Sequence, residues 1–168
     1  MDEERLLHTA APHLHLLVAS PSSACDLMWS WQRTPKKRVV VRGLRGQKMR
    51  TIEELFDECA AALQFPYYFG ENWNALSDCL ADLEWLDADA YILVITAAPH
   101  LLEKEPAENA RVFFELIENT AREWAKAKDH KPGRPAKPFH VVLQCAKEEA
   151  PEVKERLKTV GVSPSLLK

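Results

Sequence analysis

The segment YILVITAA, residues 91–98, constrains the fold of this chain more than any other stretch. It is continuously apolar apart from one threonine, and it lies between the acidic pair of residues 87 and 89 and Pro99. Such a run is typical of a strand covered on both faces, as in a parallel sheet packed between helices. Two further runs, KKRVVVRG at 36–43 and FHVVLQC at 139–145, are also predicted to be strands.

Three helices are predicted between these strands. The first begins at Thr51, where Glu54 completes a capping box, and it ends at Pro66. The second begins at Asn72, a good helix cap, and runs to about Trp85, with a stripe of apolar residues at helical spacing: Leu76, Cys79, Leu80 and Leu83. The third, long helix begins at Pro106. The order strand, helix, helix, strand, helix, strand predicts an α/β fold with a small three-stranded parallel sheet packed with helices.

Two segments lie outside this pattern. The sequence HLHLLVA, residues 13–19, alternates as a strand does and is a candidate for one more strand at a sheet edge. Residues 148–159 have the pattern of a surface helix. Residues 1–37 are therefore interpreted as an N-terminal extension and 147–168 as a C-terminal helical tail.

Composition narrows the class of protein. With 168 residues, 46% hydrophobic and 28% charged, the chain resembles an ordinary globular domain with extensions. It contains no apolar run of membrane-spanning length, and its acidic N-terminus lacks the features of a signal peptide, so we expect a cytoplasmic protein without membrane contact. The four cysteines show no metal-binding spacing, and Cys59 and Cys79 lie in periodic apolar patterns, where buried free thiols are common. That suits a reducing compartment, although the even number of cysteines leaves a disulfide open.

Charge is distributed unevenly along the chain. Residues 51–103 contain no Lys or Arg but eleven acidic residues, whereas residues 33–50 carry only basic charges. Either the two stretches are solvated faces that neutralise one another, or the acidic stretch steers a basic partner. Direct binding of nucleic acid by the acidic stretch is disfavoured because phosphates would repel it.

The segment FPYYFGENWNALSDCL, residues 65–80, carries the most specific motif. An aromatic-Gly-Glu-Asn turn precedes a helix with Ala-Leu-Ser-Asp-Cys-Leu, and this combination resembles the signature of barstar-like proteins, intracellular inhibitors of barnase-type ribonucleases. The resemblance also covers the strands and helices on either side, roughly residues 38–146. It implies a barstar-like domain over that range.

The resemblance also implies a binding site. In that family the loop and the second helix lie over the ribonuclease active site, and Asp78 matches the central acidic contact. The implied partner-binding residues are Tyr68, Gly70, Asn72, Trp73, Asn74, Ser77 and Asp78. Two of them depart from the namesake, because Asn74 replaces a second carboxylate and Ser77 replaces a tryptophan. The acid that the later helix contributes in the family corresponds to Glu118 or Glu123.

The implied function is that of a proteinaceous inhibitor or immunity protein without enzymatic activity or cofactor. Its partner would be a basic ribonuclease, secreted or delivered by contact. Physical chemistry supports this, because a carboxylate on a rigid helix can occupy a phosphate site and accept charge-assisted hydrogen bonds there. The alternative is a barstar-like scaffold repurposed to bind a different protein, which Asn74, Ser77 and the two extensions favour. An enzyme is the weakest hypothesis, because no nucleophile–base pair, phosphate loop or metal set is evident.

Several residues have ordinary structural interpretations beside the functional ones. Cys79 is expected in the core, not as a nucleophile. His13 and His15 share one strand face, as metal ligands can, but without a third ligand at a recognisable spacing we expect them to face solvent. His140 is expected at a strand edge.

Overall fold

A computed structural model describes residues 2–129 and 133–167 of the chain, with side chains from residue 4 onward. The strands are β1 (Leu14–Val18), β2 (Val39–Arg45), β3 (Ala90–Thr96), β4 (Phe139–Cys145) and β5 (Ser165–Leu167). The helices are α1 (Asp2–Arg5), α2 (Pro21–Gln32), α3 (Ile52–Leu63), α4 (Trp73–Asp82), α5 (Ala107–Trp124) and α6 (Ala150–Thr159). The strands form one sheet in the order β2-β3-β4-β1-β5, and all four pairings are parallel.

The parallel α/β class is as expected, but the sheet has five strands and not three. The additional strands, β1 and β5, come from the two segments interpreted as extensions. All seven residues of β4 are buried, so this strand cannot lie at an edge, and β1 covers its free side with Leu14 opposite Val141 and Leu16 opposite Leu143. β5 is only three residues long and has no periodicity that a sequence pattern could reveal.

Each face of the sheet packs against its own layer of helices. The larger core lies under α3, α4, α5 and α6. It includes the residues of β3 on the sheet face that these helices cover: Tyr91, Leu93 and Ile95. The smaller core lies on the opposite face, under α2 and the segment that contains Leu6, and it includes Ile92 and Val94 of the same strand. Both faces of β3 are therefore buried, which confirms the interpretation of the apolar run at 91–98.

The predicted helices are found, but two of them end earlier than expected, because α3 already ends at Leu63, before Pro66, and α4 ends before Trp85. Thr51 and Glu54 form the complete capping box of α3. α4 begins after its cap Asn72, as predicted, but ends at Asp82 because Leu83 adopts a left-handed conformation with φ 47° and caps the helix. Leu83 nevertheless stays buried.

A buried acid ties α3 to the end of β2. Glu58 of α3 is 7% exposed and accepts hydrogen bonds from the backbone N–H, Nε and Nη2 of Arg45, at 2.9, 2.9 and 2.8 Å. These bonds hold the pKa of the Glu58 carboxyl below its usual range, despite partial desolvation in the opposite direction. The interaction fixes the orientation of α3, and with it the loop that leads into α4.

Two expectations from composition concern the whole chain. No helix among the described residues is both long and apolar enough to cross a membrane. The four cysteines are free thiols, so the disulfide left open by their even number is not formed in this structure.

Candidate functional site

The candidate site consists of the loop at residues 64–72 and helix α4 that follows it. Gln64 ends α3 in a left-handed conformation, and the backbone N–H of Phe69 donates to the carbonyl of Pro66. Glu71, with φ 49°, is also left-handed and turns the chain into α4. The loop therefore has a defined path between two helices that pack on the core.

Aromatic side chains hold this loop from the inside. The Phe69 ring packs edge-on against Phe56 and Phe65, with centroids 6.1 and 4.9 Å away, and Trp73 packs against Phe56 at 5.1 Å. Tyr67 and Tyr68 point outward, 101% and 66% exposed, with their rings in edge contact. Phe69 and Trp73 thus anchor the loop, whereas the two tyrosines offer apolar area to a partner.

Gly70 and Asn72 support the local structure. The Asn72 amide donates to the Gly70 carbonyl at 3.0 Å, and its Oδ1 accepts from the Ala75 N–H at 2.9 Å, which caps α4. A Cβ atom on Gly70 would lie 3.1 Å from Asn72 Nδ2, closer than ordinary contact. The glycine leaves room for the capping side chain, a role that the sequence did not distinguish from contact with a partner.

Asp78 lies on the exposed side of α4. Leu76, Cys79 and Leu80 of the helix are buried, whereas Asn74 and Asp78 are exposed and Ser77 is half-buried. Within the described residues the side chains of Asp78 and Asn74 make no hydrogen bond or ion pair with another residue. The carboxylate of Asp78 is therefore available to an external cation without the loss of an internal bond.

An open groove of about 430 Å³ runs beside Asp78. It is lined by acidic side chains of α4 and the segment after it, by a basic wall of cations, and by two aromatic rings, and the cations and rings are Lys128, Arg134, Lys137, Tyr91 and Trp124. The Arg134 guanidinium stacks 3.6 Å from the centroid of the Trp124 ring, and burial lowers the pKa of Arg134. The sequence did not predict this groove, because its basic wall comes from residues about fifty positions after Asp78.

The acidic stretch divides into a neutralised part and an unpaired part. Arg38 pairs with Asp87, Arg45 with Glu58 and Arg50 with Glu103, so part of the upstream basic stretch does neutralise its acidic neighbour. A second groove of about 510 Å³, beside Trp73, is lined by acids that make no ion pair within the described part of the chain: Glu53, Asp57 and Glu71. Unpaired negative charge thus surrounds the start of α4.

The two candidate acids of α5 lie in different surroundings. Glu118 has its carboxylate 3.7 Å from Nδ1 of His13 at the start of the N-terminal strand segment. Glu123 precedes Trp124, whose ring lines the same groove as Asp78 and whose Nε1 donates to the Leu80 carbonyl of α4. The Glu123 carboxylate pairs with Lys126 Nζ at 3.4 Å, so the choice between the two acids stays a prediction.

The residues weighed as catalytic or metal-binding do not assemble into such a site. Burial raises the pKa of the Cys79 thiol and raises that of Cys59 to about 12, which disfavours the reactive thiolate. The described residues contain no group of three His, Cys, Asp or Glu side chains placed to hold a metal ion. The expectation that His13 and His15 face solvent was wrong, and so was the edge position of His140, since all three are buried where β1 pairs with β4.

Comparison with known proteins identifies the family. The family model described as "Barstar (barnase inhibitor)" matches residues 39–144, more than half of the chain and all of the candidate site. No curated protein sequence matches.

Solved structures resemble the fold alone. The crystal structure of Cdc6p from Pyrobaculum aerophilum aligns with 14% identity and a TM-score of 0.51, over 91% of this chain and 38% of that one. A chain of Drosophila ORC bound to AT-rich DNA and Cdc6 aligns with 12% identity and a TM-score of 0.45, over 99% of this chain and 49% of that one. The chain thus spans less than half of either structure, and the match to the Pyrobaculum protein, at 14% identity, shows a likeness of fold alone. The family match covers the loop, α4 and Asp78 together, and on that basis the chain belongs to the barstar family of barnase inhibitors.

Proposed function

We propose that the protein inhibits a barnase-type ribonuclease by laying the loop at 64–72 and helix α4 over its active site. In this proposal it is an immunity protein that acts in the cytoplasm against a secreted or contact-delivered toxin, and it has no enzymatic activity of its own. The observation that carries the proposal is the exposed, unpaired carboxylate of Asp78, on a capped helix within the region that matches the family.

The chemistry follows from what a ribonuclease must contain. Its active site holds phosphate with cationic side chains, and the carboxylate of Asp78 would accept charge-assisted hydrogen bonds from the same donors. Asn72 caps α4, and Leu76 and Leu80 anchor it in the core, so the carboxylate is presented with little loss of freedom on binding.

The surroundings of Asp78 would supply the rest of the interface. Tyr68 presents an exposed ring of the type that anchors protein interfaces, and the half-buried Trp73 holds the loop beneath it. Asn74 and Ser77 contribute neutral polar groups. Gly70 and Asn72 shape the backbone that leads into α4.

A second candidate function is binding of a different, non-ribonuclease protein by the same surface. Asn74 and Ser77 lack the charge and ring of the family's namesake at these positions. In addition, the cations Lys128, Arg134 and Lys137 line the groove beside Asp78, which would suit a partner that places an acidic group next to its basic one.

Inhibition of RNA cleavage distinguishes the two functions. The purified protein would be titrated into a panel of barnase-type ribonucleases, and cleavage of a fluorogenic RNA would be followed. The proposal predicts a stoichiometric block of at least one of these enzymes. If none is bound or inhibited, the ribonuclease-inhibitor proposal fails and affinity capture from lysate becomes the route to the alternative partner.

Association with the ribonuclease should depend strongly on salt. The unpaired acids around α4 attract a basic enzyme at long range, so we expect the association rate to fall about tenfold or more between low and high ionic strength, with a smaller change in dissociation. Stopped-flow fluorescence measures both rates.

A pair of variants separates steering from general charge effects. Asp57→Asn, in the acidic groove, should weaken the salt dependence of association. Glu108→Gln removes an equal charge from the start of α5, where Glu108 pairs with Arg111. It should change the salt dependence of the association rate less than Asp57→Asn does. An association rate indifferent to salt would mean that the acidic stretch is only a solvated face.

A further inference from the structure

Three histidines form a buried cluster where the N-terminal strand joins the family domain. His13 and His15 lie at β1 and His140 in β4, and they are 4%, 0% and 0% exposed. His15 Nε2 lies 2.9 Å from His140 Nδ1, and His140 Nε2 lies 2.8 Å from the carbonyl oxygen of His8. A chain of hydrogen bonds therefore crosses from β1 through β4 to the N-terminal segment.

The chain of bonds fixes the protons. A carbonyl oxygen only accepts, so His140 carries its proton on Nε2 and uses Nδ1 as an acceptor. His15 must then donate from Nε2 to His140 Nδ1. In the same way, His13 donates from Nε2 to the Thr9 carbonyl at 3.1 Å. This pattern requires a neutral His140, because its Nδ1 must keep a lone pair to accept the hydrogen bond from His15.

The surroundings disfavour a proton on His140. Burial lowers the pKa of His140 from 6.5 to about 4, the hydrogen bond to the His8 carbonyl opposes this shift, and the nearby His13, Arg5 and His8 side chains add to the lowering. The carboxylate of Glu118 lies close to His13, at 3.7 Å, and is one-third exposed. Arg5 is engaged with Ser165 and the Leu166 carbonyl.

We propose that this neutral histidine chain is a pH-sensitive latch that holds the N-terminal strand on the family domain. Protonation places a charge in the seam between β1 and β4 and turns an acceptor of the chain into a donor. Because β5 joins the sheet through β1, and the loop at His8 is bound to His140, opening of the seam would release all three together. Helix α3 packs mainly against β2 and α4 mainly against α5, so we expect both helices to stay in place when β1 opens.

The direction of the pH dependence follows from the two protonation states. When the seam is open, His140 regains an ordinary pKa near 6.5, whereas in the closed seam its pKa is about 4. The open state therefore binds more protons between these values, and docking of β1 weakens as pH falls through that range. One proton linked in this way raises the opening constant about twentyfold between pH 7 and pH 5.

Amide hydrogen exchange of the full chain tests the latch. At pH 5, after correction for intrinsic exchange rates, we expect amides of β1 and β5 to lose about twentyfold of the protection that they have at pH 7, whereas amides of α3 and α4 keep theirs. Equal protection of β1 at the two pH values would overturn the proposal.

Substitution identifies the group responsible. In His140→Gln the side-chain amide can still donate to the His8 carbonyl and accept from His15 but does not titrate, so β1 should keep its protection at pH 5. His8→Gln is the matched control, because it removes an exposed imidazole but keeps the carbonyl that His140 uses, and it should behave as the parent does. The same pH-dependent loss in His140→Gln as in the parent would overturn the latch.

A measurement on the parent protein covers the case in which His140→Gln does not fold. Nitrogen chemical shifts of the imidazoles report charge and tautomer directly. At pH 6 the folded protein should show His140 neutral with its proton on Nε2. A charged His140 in the folded protein at that pH would rule out the latch.

Discussion

Asp78→Ala is expected to weaken binding of the target ribonuclease by about 2–5 kcal/mol, roughly 30- to 5000-fold. The physical reason is that the cations of the phosphate site would remain desolvated in the complex but lose their partner. This range of 2–5 kcal/mol is typical of buried charged pairs at protein interfaces. Barnase–barstar is among the complexes that define it, so the magnitude is carried over from the family. The change should lie mainly in the dissociation rate, measured by surface plasmon resonance or stopped-flow competition.

Folding should be almost unaffected by this substitution, because Asp78 is exposed and makes no bond within the described residues. Thermal unfolding of the variant checks that point. Asp82→Ala is a matched control, since it removes an exposed acid that lines the same groove one turn later on α4. We expect Asp82→Ala to weaken binding of the ribonuclease less than Asp78→Ala does.

Asn74→Asp should strengthen binding only where a partner cation lies within reach. If Asp78→Ala bound as tightly as the parent, α4 would not be the inhibitory element.

Deletion of residues 1–31 is expected to prevent stable folding, although this segment lies wholly outside the range that matches the family. It would remove α2 and β1 and expose apolar residues on one face of the sheet: Val39, Val41, Ile92, Val94 and Val142. Burial of each such side chain is worth about 1.5–3 kcal/mol, so the loss is on the order of 10 kcal/mol. That is comparable to the whole free energy of unfolding of a small domain, about 5–15 kcal/mol. Circular dichroism and denaturant titration of the truncated chain measure the effect.

Two tryptophans of α2 provide a matched pair for the same question. Trp31 is 4% exposed and belongs to the smaller core. Trp29 is 55% exposed, and the Arg33 guanidinium lies 5.8 Å from the centroid of its ring. Trp31→Ala should lower the free energy of unfolding by about 3–5 kcal/mol. Trp29→Ala should lower it by about 1 kcal/mol or less. Equal effects of the two substitutions, or a truncated chain as stable as the parent, would show that α2 does not protect the sheet.

Local patterns predicted the elements that carry the site. The capping box at Thr51, the cap at Asn72 and the apolar stripe of α4 were each evident from a few neighbouring residues, because helix caps and amphipathic faces depend on short-range spacing. The run at 91–98 showed its burial in its own composition. The Asn72-to-Leu80 motif thereby determined which face of α4 points outward and placed Asp78 on it.

Contacts between distant segments were beyond such patterns. His13 and His15 have the pattern of an alternating, half-exposed strand, yet both are buried, because β1 pairs with β4 and the loop that carries His8 and Thr9 hydrogen-bonds to His140 and His13. Likewise, the cations beside Asp78 reach the groove only because the chain returns after α5 and stacks Arg134 on Trp124. Neither arrangement leaves a signal at fixed spacing.

The sequence by itself therefore determined the parallel α/β class, the helices of the site, the family motif and the exposed carboxylate at its centre. The tertiary structure alone decided that the sheet has five strands, that the terminal segments complete it, and that three histidines are enclosed between them. The physical reason is that caps and periodicity are encoded within about one helical turn or a few strand residues, whereas strand pairing and burial depend on which distant segments fill the free side of β4.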